Sequence, residues 1–217
     1  MSAPLFSVLL PTVSNRAPLF ALLHSEIQRQ ARDKPVEIIT ACDNKEISIG
    51  KKRQNLLEQA TGDYVAYVDD DDWVVETYVD DILNALEKKP DCVGFEITCT
   101  SNGGNPQRAI ASMRYPKWTD HKDGYRFNRS CYHKTPVRRD IALKVGFSDM
   151  RYGEDKPFSD GLMQHVKTEV FIPKVLYIYR FRRENFMVKY GFRKESEMKT
   201  KDDHKINYSY RRRPFQH

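Results

Sequence analysis

Residues 64–73 read YVAYVDDDDW, an apolar run followed by four consecutive aspartates and a tryptophan. The apolar part, Tyr64 to Val68, predicts a short buried strand. The four carboxylates repel one another, which raises carboxyl pKa values unless a cation compensates. Hard divalent cations such as Mg²⁺ and Mn²⁺ prefer oxygen ligands of this kind. The run therefore predicts a metal site at the end of a strand, and the alternative is a solvated acidic turn before a helix.

The sequence on either side of this run alternates between the periods of strands and helices. Strands are predicted over residues 6–10, 36–40, 92–100 and 175–181, and helices over 18–31, 51–60, 76–88, 135–146 and 157–166. Pro11 is expected to end the first strand, Gly62 to follow the second helix, and residues 115–130 to form a long loop. The alternation predicts an α/β fold whose mostly parallel sheet is flanked by helices. Ligands of such sheets bind beyond the carboxyl ends of the strands.

Length and composition exclude several classes of protein. The chain has 217 residues, of which 40% are hydrophobic, enough for the core of one α/β domain. No stretch approaches the roughly 20 apolar residues that a membrane-spanning helix needs, and the apolar start lacks the basic segment of a signal peptide. The four cysteines form no CxxC pair. We therefore expect the thiols to be reduced and the protein to be cytoplasmic. For a viral protein this would be the cytoplasm of the host.

Charge is distributed unevenly along the chain. Residues 1–106 contain 10 Lys and Arg against 17 Asp and Glu, whereas residues 107–217 contain 26 against 13. The acidic half is suited to a cation and the basic half to phosphates. The alternative is that the basic C-terminal part only aids solubility.

Two further polar motifs occur where helices are predicted to begin. Residues 50–55 read GKKRQN, and a helix start with Lys52 and Arg53 is suited to a phosphate group, although such starts are often only solvated. Glu154 and Asp155 precede another helix. A carboxylate there suits proton transfer, and its neighbour would raise its pKa; the alternative is a helix cap.

Taken together, residues 7–12 (SVLLPT), Asp43, residues 50–55 and residues 60–72 (ATGDYVAYVDDDD) resemble the family 2 glycosyltransferases of the GT-A fold. Residues 145–147 (VGF) and 153–155 (GED) are similar to that family's GGF…GED segment. The resemblance covers roughly residues 5–180 and implies a GT-A domain over residues 1–181. Within it, residues 1–100 would bind a nucleotide-sugar and residues 101–181 would carry the acceptor and the catalytic base, followed by a basic C-terminal extension, residues 182–217.

The resemblance also implies roles for individual residues. A Mn²⁺ or Mg²⁺ ion would be held by Asp71, with Asp69, as in the family's DxD motif. The nucleotide-sugar would be bound by Thr12, Asp43, Lys52, Arg53, Asp69 and Asp70. Asp155 would be the catalytic base, with Glu154 as the alternative. The family often has two acidic residues after the second strand, whereas this sequence has one, Asp43. The identity of the nucleotide base of the donor is therefore left open.

The function implied is a metal-dependent, inverting glycosyltransferase that moves one sugar from a UDP-sugar to an acceptor hydroxyl. The sequence lacks the Q-x-x-R-W motif of processive synthases, so a single transfer is favoured. One alternative is a nucleotidyl-sugar transferase, although residues 13–18 (VSNRAP) lack the glycines of its loop. The other is a GT-A-like module that binds nucleic acid without catalysis.

The acceptor is predicted from the basic half alone. Broad positive charge interleaved with aromatic rings suits an acidic polymer. The expected acceptor is therefore either a modified base in DNA, flipped out of the duplex, or a saccharide. Tyr115, Trp118 and Arg182 are the candidate acceptor-binding residues. The oligomeric state is left open.

Overall fold

A computed structural model describes residues 3–181 of the chain. Its strands are β1 Phe6–Val13, β2 Val36–Asp43, β3 Tyr64–Tyr67, β4 Trp73–Val74, β5 Cys92–Ser101, β6 Gly104–Ala111, β7 Thr119–Lys122, β8 Tyr125–Arg129, β9 Val137–Arg138 and β10 Glu169–Phe181. Its α-helices are α1 Ala17–Ala31, α2 Ile49–Gln59, α3 Tyr78–Leu86, α4 Arg139–Val145 and α5 Asp155–Leu162, and Ser14–Arg16 forms a short 3-10 helix. No helix of the described residues is both long enough and apolar enough to cross a bilayer.

All the strands belong to one sheet, in the order β2-β1-β3-β9-β5-β6-β8-β7, with β10 beside β4 and β5. Strands β1, β2 and β3 are parallel. The two-residue strand β9 is antiparallel to both β3 and β5, so β5 runs in the direction of β3, and β10 is parallel to β5. The carboxyl ends of these five long strands therefore point to one edge. This confirms the α/β fold with a mostly parallel central sheet.

Helices cover both faces of the sheet. Along β1, Phe6, Val8 and Leu10 join the core under α1 and α3, and Leu9 joins the core under α2, α4 and α5. A strand buried on both faces reads as an unbroken apolar run. That is why the sequence 6–10 and the sequence 64–68 show no alternation with polar residues.

The first strand is longer than expected, because Pro11 does not end it. Strand β1 continues to Val13, paired with β2. Leu9 accepts a hydrogen bond from Val68 on the β3 side, so Pro11, two residues on, faces that side beyond the end of β3. Its missing N–H therefore costs no sheet hydrogen bond. The extension carries Thr12 to the edge of the sheet.

Residues 115–130 are not the long loop that was expected. They contain the hairpin of β7 and β8, joined by Asp123 and Gly124 with φ values of 56° and 77°. An Asp-Gly pair with both residues at positive φ is the preferred two-residue hairpin turn. The turn signal was thus present in the sequence.

One predicted helix start is wrong, and Gly62, which follows α2 as expected, has a different role from a helix cap. Thr135 does not cap a helix, because its hydroxyl donates to the Tyr132 carbonyl at 2.8 Å and closes a turn, and α4 starts only after β9. Gly62 does not adopt positive φ after α2. It lies so close to β1 that an added Cβ would be 2.6 Å from the Ser7 hydroxyl. Gly146 does end α4, with φ of 66°.

Candidate active site

The sheet edge at the carboxyl ends of β1, β2 and β3 gathers the polar residues singled out by the sequence. Thr12 and Asp43 lie near the ends of the paired strands β1 and β2. The four aspartates follow β3 after one residue, Val68. The start of α2 brings Lys52 and Arg53 to the same edge, because Ser48 caps that helix by accepting a hydrogen bond from the Lys51 backbone N–H at 3.0 Å.

Asp72 and Asp69 form the floor of the site. Asp72 is 1% exposed and accepts hydrogen bonds from Lys134, from the Tyr177 hydroxyl at 2.7 Å and from the Arg180 backbone N–H at 2.9 Å. Asp69 accepts from Arg53 and Lys134, each at 2.7 Å. Burial alone would raise the pKa of Asp69, but the charges of Lys134 and Arg53 hold it well below its ordinary value. Asp69 is therefore an ionised, internally paired carboxylate.

Asp70 and Asp71 meet a third cation, Arg16, which follows β1. The Arg16 guanidinium donates to Asp70 at 2.6 Å and lies 3.0 Å from Asp71. The second Asp70 oxygen accepts from the Thr12 hydroxyl at 2.8 Å. The Asp71 side chain is 30% exposed, and its second oxygen has no partner within residues 3–181. Asp71 is thus the residue of the run with an oxygen to offer to a ligand, and one carboxylate with substrate phosphates is a common Mg²⁺ environment.

Lys52 and Arg53 are buried, and both contact the protein's own acids. The Lys52 ammonium donates to the Thr12 carbonyl at 2.6 Å and pairs with Asp43. Arg53 bridges Asp69 and Glu154. The structure therefore brings together all the residues predicted to bind the nucleotide-sugar, although Lys52 and Arg53 serve first to tie strand ends to α2 and α5.

The two adjacent acids at the start of α5 differ in their surroundings. Glu154 is 5% exposed, is paired with Arg53, and has its pKa raised by burial. Asp155 is half-buried, and its carboxylate has no hydrogen bond or ion pair within residues 3–181. Both oxygens of the Asp155 carboxylate are therefore without a hydrogen-bond partner in this part of the chain, whereas one oxygen of Glu154 is paired with Arg53.

The acceptor candidates Tyr115 and Trp118 precede β7, and Trp118 packs against α5, with the Lys156 ammonium 5.7 Å from the centre of its ring. The Trp118 indole N–H donates to the Ser130 and Ser159 hydroxyls, each at 3.1 Å. The Tyr115 ring packs 6.4 Å from the ring of Tyr125. Trp118 is thus fixed by hydrogen bonds in a half-buried position, and Arg182 lies outside the described residues. Their role toward an acceptor stays a prediction.

Sequence reasoning missed the cations that hold the acidic run, Arg16 and Lys134. A buried histidine also borders the run, since His133 Nε2 lies 3.4 Å from Asp69 and its Nδ1 has no hydrogen-bond partner within residues 3–181. Lys134 is the only Lys, Arg, Asp or Glu of residues 130–137 (SCYHKTPV), but no sequence pattern places it or Arg16 beside the run.

The buried imidazole of His133 predicts an acid-sensitive fold. Burial, and then the charge of Arg53, lower its pKa to about 4. Between pH 6.5 and pH 4 the unfolded chain binds a proton at this histidine that the folded chain does not, so stability falls as pH falls. We expect the free energy of unfolding in urea to fall by about 1–2 kcal/mol more in the wild type than in His133→Gln between pH 7.5 and pH 5. The comparison is needed because burial raises the pKa of Asp72 to about 6, which acts in the opposite direction in both proteins, and an equal pH dependence of the two proteins would contradict the assignment.

The comparisons with known proteins agree with this geometry. Residues 10–146 match the model of the family described as Glycosyl transferase family 2. Among curated proteins no match was found. Among solved structures, Staphylococcus aureus TarS 1–349 in complex with UDP-GlcNAc aligns with a TM-score of 0.59 at 15% identity, covering 82% of this chain and 59% of that chain.

Two other TarS structures give the same result. The complex of TarS 1–349 with UDP has a TM-score of 0.58 at 16% identity, covering 85% of this chain and 62% of that chain. The structure of S. aureus TarS has a TM-score of 0.57 at 16% identity, covering 85% and 38%. This chain therefore spans less than two thirds of the TarS chains, and at such identity the likeness shows the fold, which is the expected GT-A fold. Because the family model spans more than half of the sequence, the chain belongs to glycosyl transferase family 2.

Proposed function

We propose that this protein transfers a single sugar from a UDP-sugar to an acceptor hydroxyl, with inversion at the anomeric carbon. The observation that carries the proposal is the single sheet edge on which Thr12, Asp43 and the acidic run lie together, with Glu154 joined to that run through Arg53. Family membership supports sugar transfer. The UDP-GlcNAc and UDP complexes of the TarS structures support a uridine nucleotide as the donor's leaving group.

On the donor side, departure of a nucleoside diphosphate builds up negative charge that the site has to stabilise. We assign a Mn²⁺ or Mg²⁺ ion to Asp71, whose free oxygen fits such an ion, with the paired Asp69 behind it. When bound, the ion would neutralise diphosphate charge. Arg16 lies beside Asp71 with its side chain 29% exposed, so its guanidinium is placed to face the same phosphates.

On the acceptor side, the attacking hydroxyl has to lose a proton as its oxygen bonds to the anomeric carbon and the bond to the diphosphate breaks. We propose that the Asp155 carboxylate accepts that proton, since it forms no hydrogen bond or ion pair with another side chain of the described residues. One placed carboxylate suffices for an inverting transfer. Glu154, held by Arg53, fixes the position of the start of α5, where Asp155 is the first residue.

The experiment that tests this proposal measures product release from nucleotide-sugars with Mn²⁺ present. We expect release of UDP from at least one UDP-sugar, slowly to water and faster to an acceptor. A nucleotidyl-sugar transferase would instead form pyrophosphate from a nucleoside triphosphate and a sugar phosphate. The assay uses a panel of UDP-, GDP- and TDP-sugars and the corresponding triphosphates. If neither product forms with any of them, the protein is a binding module without catalysis and the proposal is overturned.

The acceptor is proposed from charge. Residues 107–217 contain 26 Lys and Arg against 13 Asp and Glu, which suits an acidic acceptor such as a modified base in DNA or an acidic saccharide. Residues 182–217, which contain Arg182, lie outside the described residues. The TarS complexes support the choice of donor, and the class of acceptor has to be determined by measurement.

A further inference from the structure

Lys134 is a lysine enclosed within the acidic run. It lies between β8 and β9, is 5% exposed, and donates to Asp69 at 2.7 Å, to Asp72 and to the Tyr177 hydroxyl at 2.9 Å. Its ammonium also lies 4.4 Å from the centre of the Tyr177 ring. A buried ammonium is costly unless its charge and donors are satisfied, and here two carboxylates and a hydroxyl satisfy them.

Most carboxylate oxygens of the run accept hydrogen bonds from the described part of the protein, and the rest are free to bind a ligand. Both oxygens of Asp69, of Asp70 and of Asp72 accept from the protein. The cations Arg16, Arg53 and Lys134 face the run and Glu154, so negative charge is left over. Within residues 3–181 the free oxygen belongs to Asp71. The negative charge of the run is thus reduced, but not cancelled, before any ligand binds.

We propose that Lys134 is a positioning residue that keeps Asp69 and Asp72 paired within the protein. Because these carboxylates are paired, the affinity of the acidic run for a divalent cation stays low until a diphosphate supplies further oxygen ligands. The proposal rests on the proposed function and deepens it, because it makes the metal and the nucleotide bind together. Without the lysine charge, Asp72 would lose its ion-pair partner and Asp69 would keep only Arg53, and a site of greater negative charge would attract Mn²⁺ by itself.

The variants separate charge from packing. Lys134→Met removes the charge at similar length, and Lys134→Gln removes the charge but keeps N–H donors for Asp69 and Asp72. Tyr177→Phe removes a hydroxyl from the same cluster and keeps the charge. Lys174→Met is the matched control, since Lys174 pairs with Asp81 at 2.6 Å away from the site. Circular dichroism and thermal melting identify the variants that fold.

The measurement is Mn²⁺ binding by electron paramagnetic resonance, first without nucleotide. We expect both Lys134 variants to bind Mn²⁺ about tenfold more tightly than the wild type, whereas Tyr177→Phe and Lys174→Met bind it as the wild type does. Equal or weaker binding in a folded Lys134 variant would overturn the proposal. A structural role alone would lower the melting temperature without tightening Mn²⁺ binding.

The wild-type protein supplies a test that no folding defect can obscure. Addition of UDP should tighten Mn²⁺ binding by about tenfold or more, and Mn²⁺ that binds equally tightly without UDP would overturn the proposal. The UDP-release assay is independent of these titrations. Absence of UDP release would reject the proposed function, and unchanged Mn²⁺ binding in the Lys134 variants would reject only the role of Lys134.

Discussion

Replacement of Asp71 by alanine is expected to abolish nucleotide-sugar turnover and Mn²⁺-dependent donor binding while the fold survives. Asp71 carries the free oxygen of the run, and the contact of its side chain within the described residues is the ion pair with Arg16 at 3.0 Å. Loss of a charge-stabilising group at the leaving diphosphate costs about 10²–10³-fold in rate. The partly exposed ion pair contributes little to stability, so the melting temperature should stay close to that of the wild type.

The measurement compares UDP release and Mn²⁺-dependent binding of UDP-sugar in Asp71→Ala and in two other aspartate variants. Asp80→Ala removes an exposed acid that pairs with Lys34 far along the chain and should leave turnover unchanged. Asp72→Ala should instead destabilise the fold, because it leaves the buried Lys134 short of a partner. Turnover at the wild-type rate in Asp71→Ala would show that the metal assignment to Asp71 is wrong.

Sequence patterns predicted the fold well because burial on both faces leaves a strong signal. The run 64–68 reads as an unbroken apolar strand and the run 6–10 is interrupted only by Ser7, and the helices between them show one apolar stripe. Element ends were predicted less well. The end of β1 depends on how far β2 accompanies it and on which side Pro11 faces, and both are properties of the neighbouring strands.

The sequence predicted the acidic residues of the candidate site, but only some of its cationic residues. A run such as residues 69–72 is visible because its members are adjacent in the sequence. Arg16 is 54 residues from Asp70, and Lys134 is 65 residues from Asp69. In the sequence each looks like an ordinary surface cation, since only the register of the sheet brings it to the edge. The separation of roles between Glu154 and Asp155 likewise depends on which of them meets Arg53.

Replacement of Asp155 by asparagine is expected to leave donor binding nearly intact and to lower transfer about 100-fold or more, the effect of losing a general base. The side chain is half-buried and makes no hydrogen bond or ion pair within residues 3–181, so the change removes a proton acceptor and little else. The measurement pairs UDP-sugar affinity with the rate of UDP release, and the affinity should stay within about threefold while the rate falls.

Glu154→Gln is the matched variant, because it alters the neighbouring carboxylate with the same isosteric change. The Glu154 carboxylate pairs with the buried Arg53, which also holds Asp69. Its neutralisation leaves Arg53 with one acid fewer, which should lower both the melting temperature and the donor affinity. Equal losses of affinity and rate in Asp155→Asn would identify Asp155 as a helix cap. A loss of rate alone in Glu154→Gln, with stability and affinity retained, would move the base to Glu154, since a residue that acts only through Arg53 cannot lower the rate without disturbing the site that Arg53 holds.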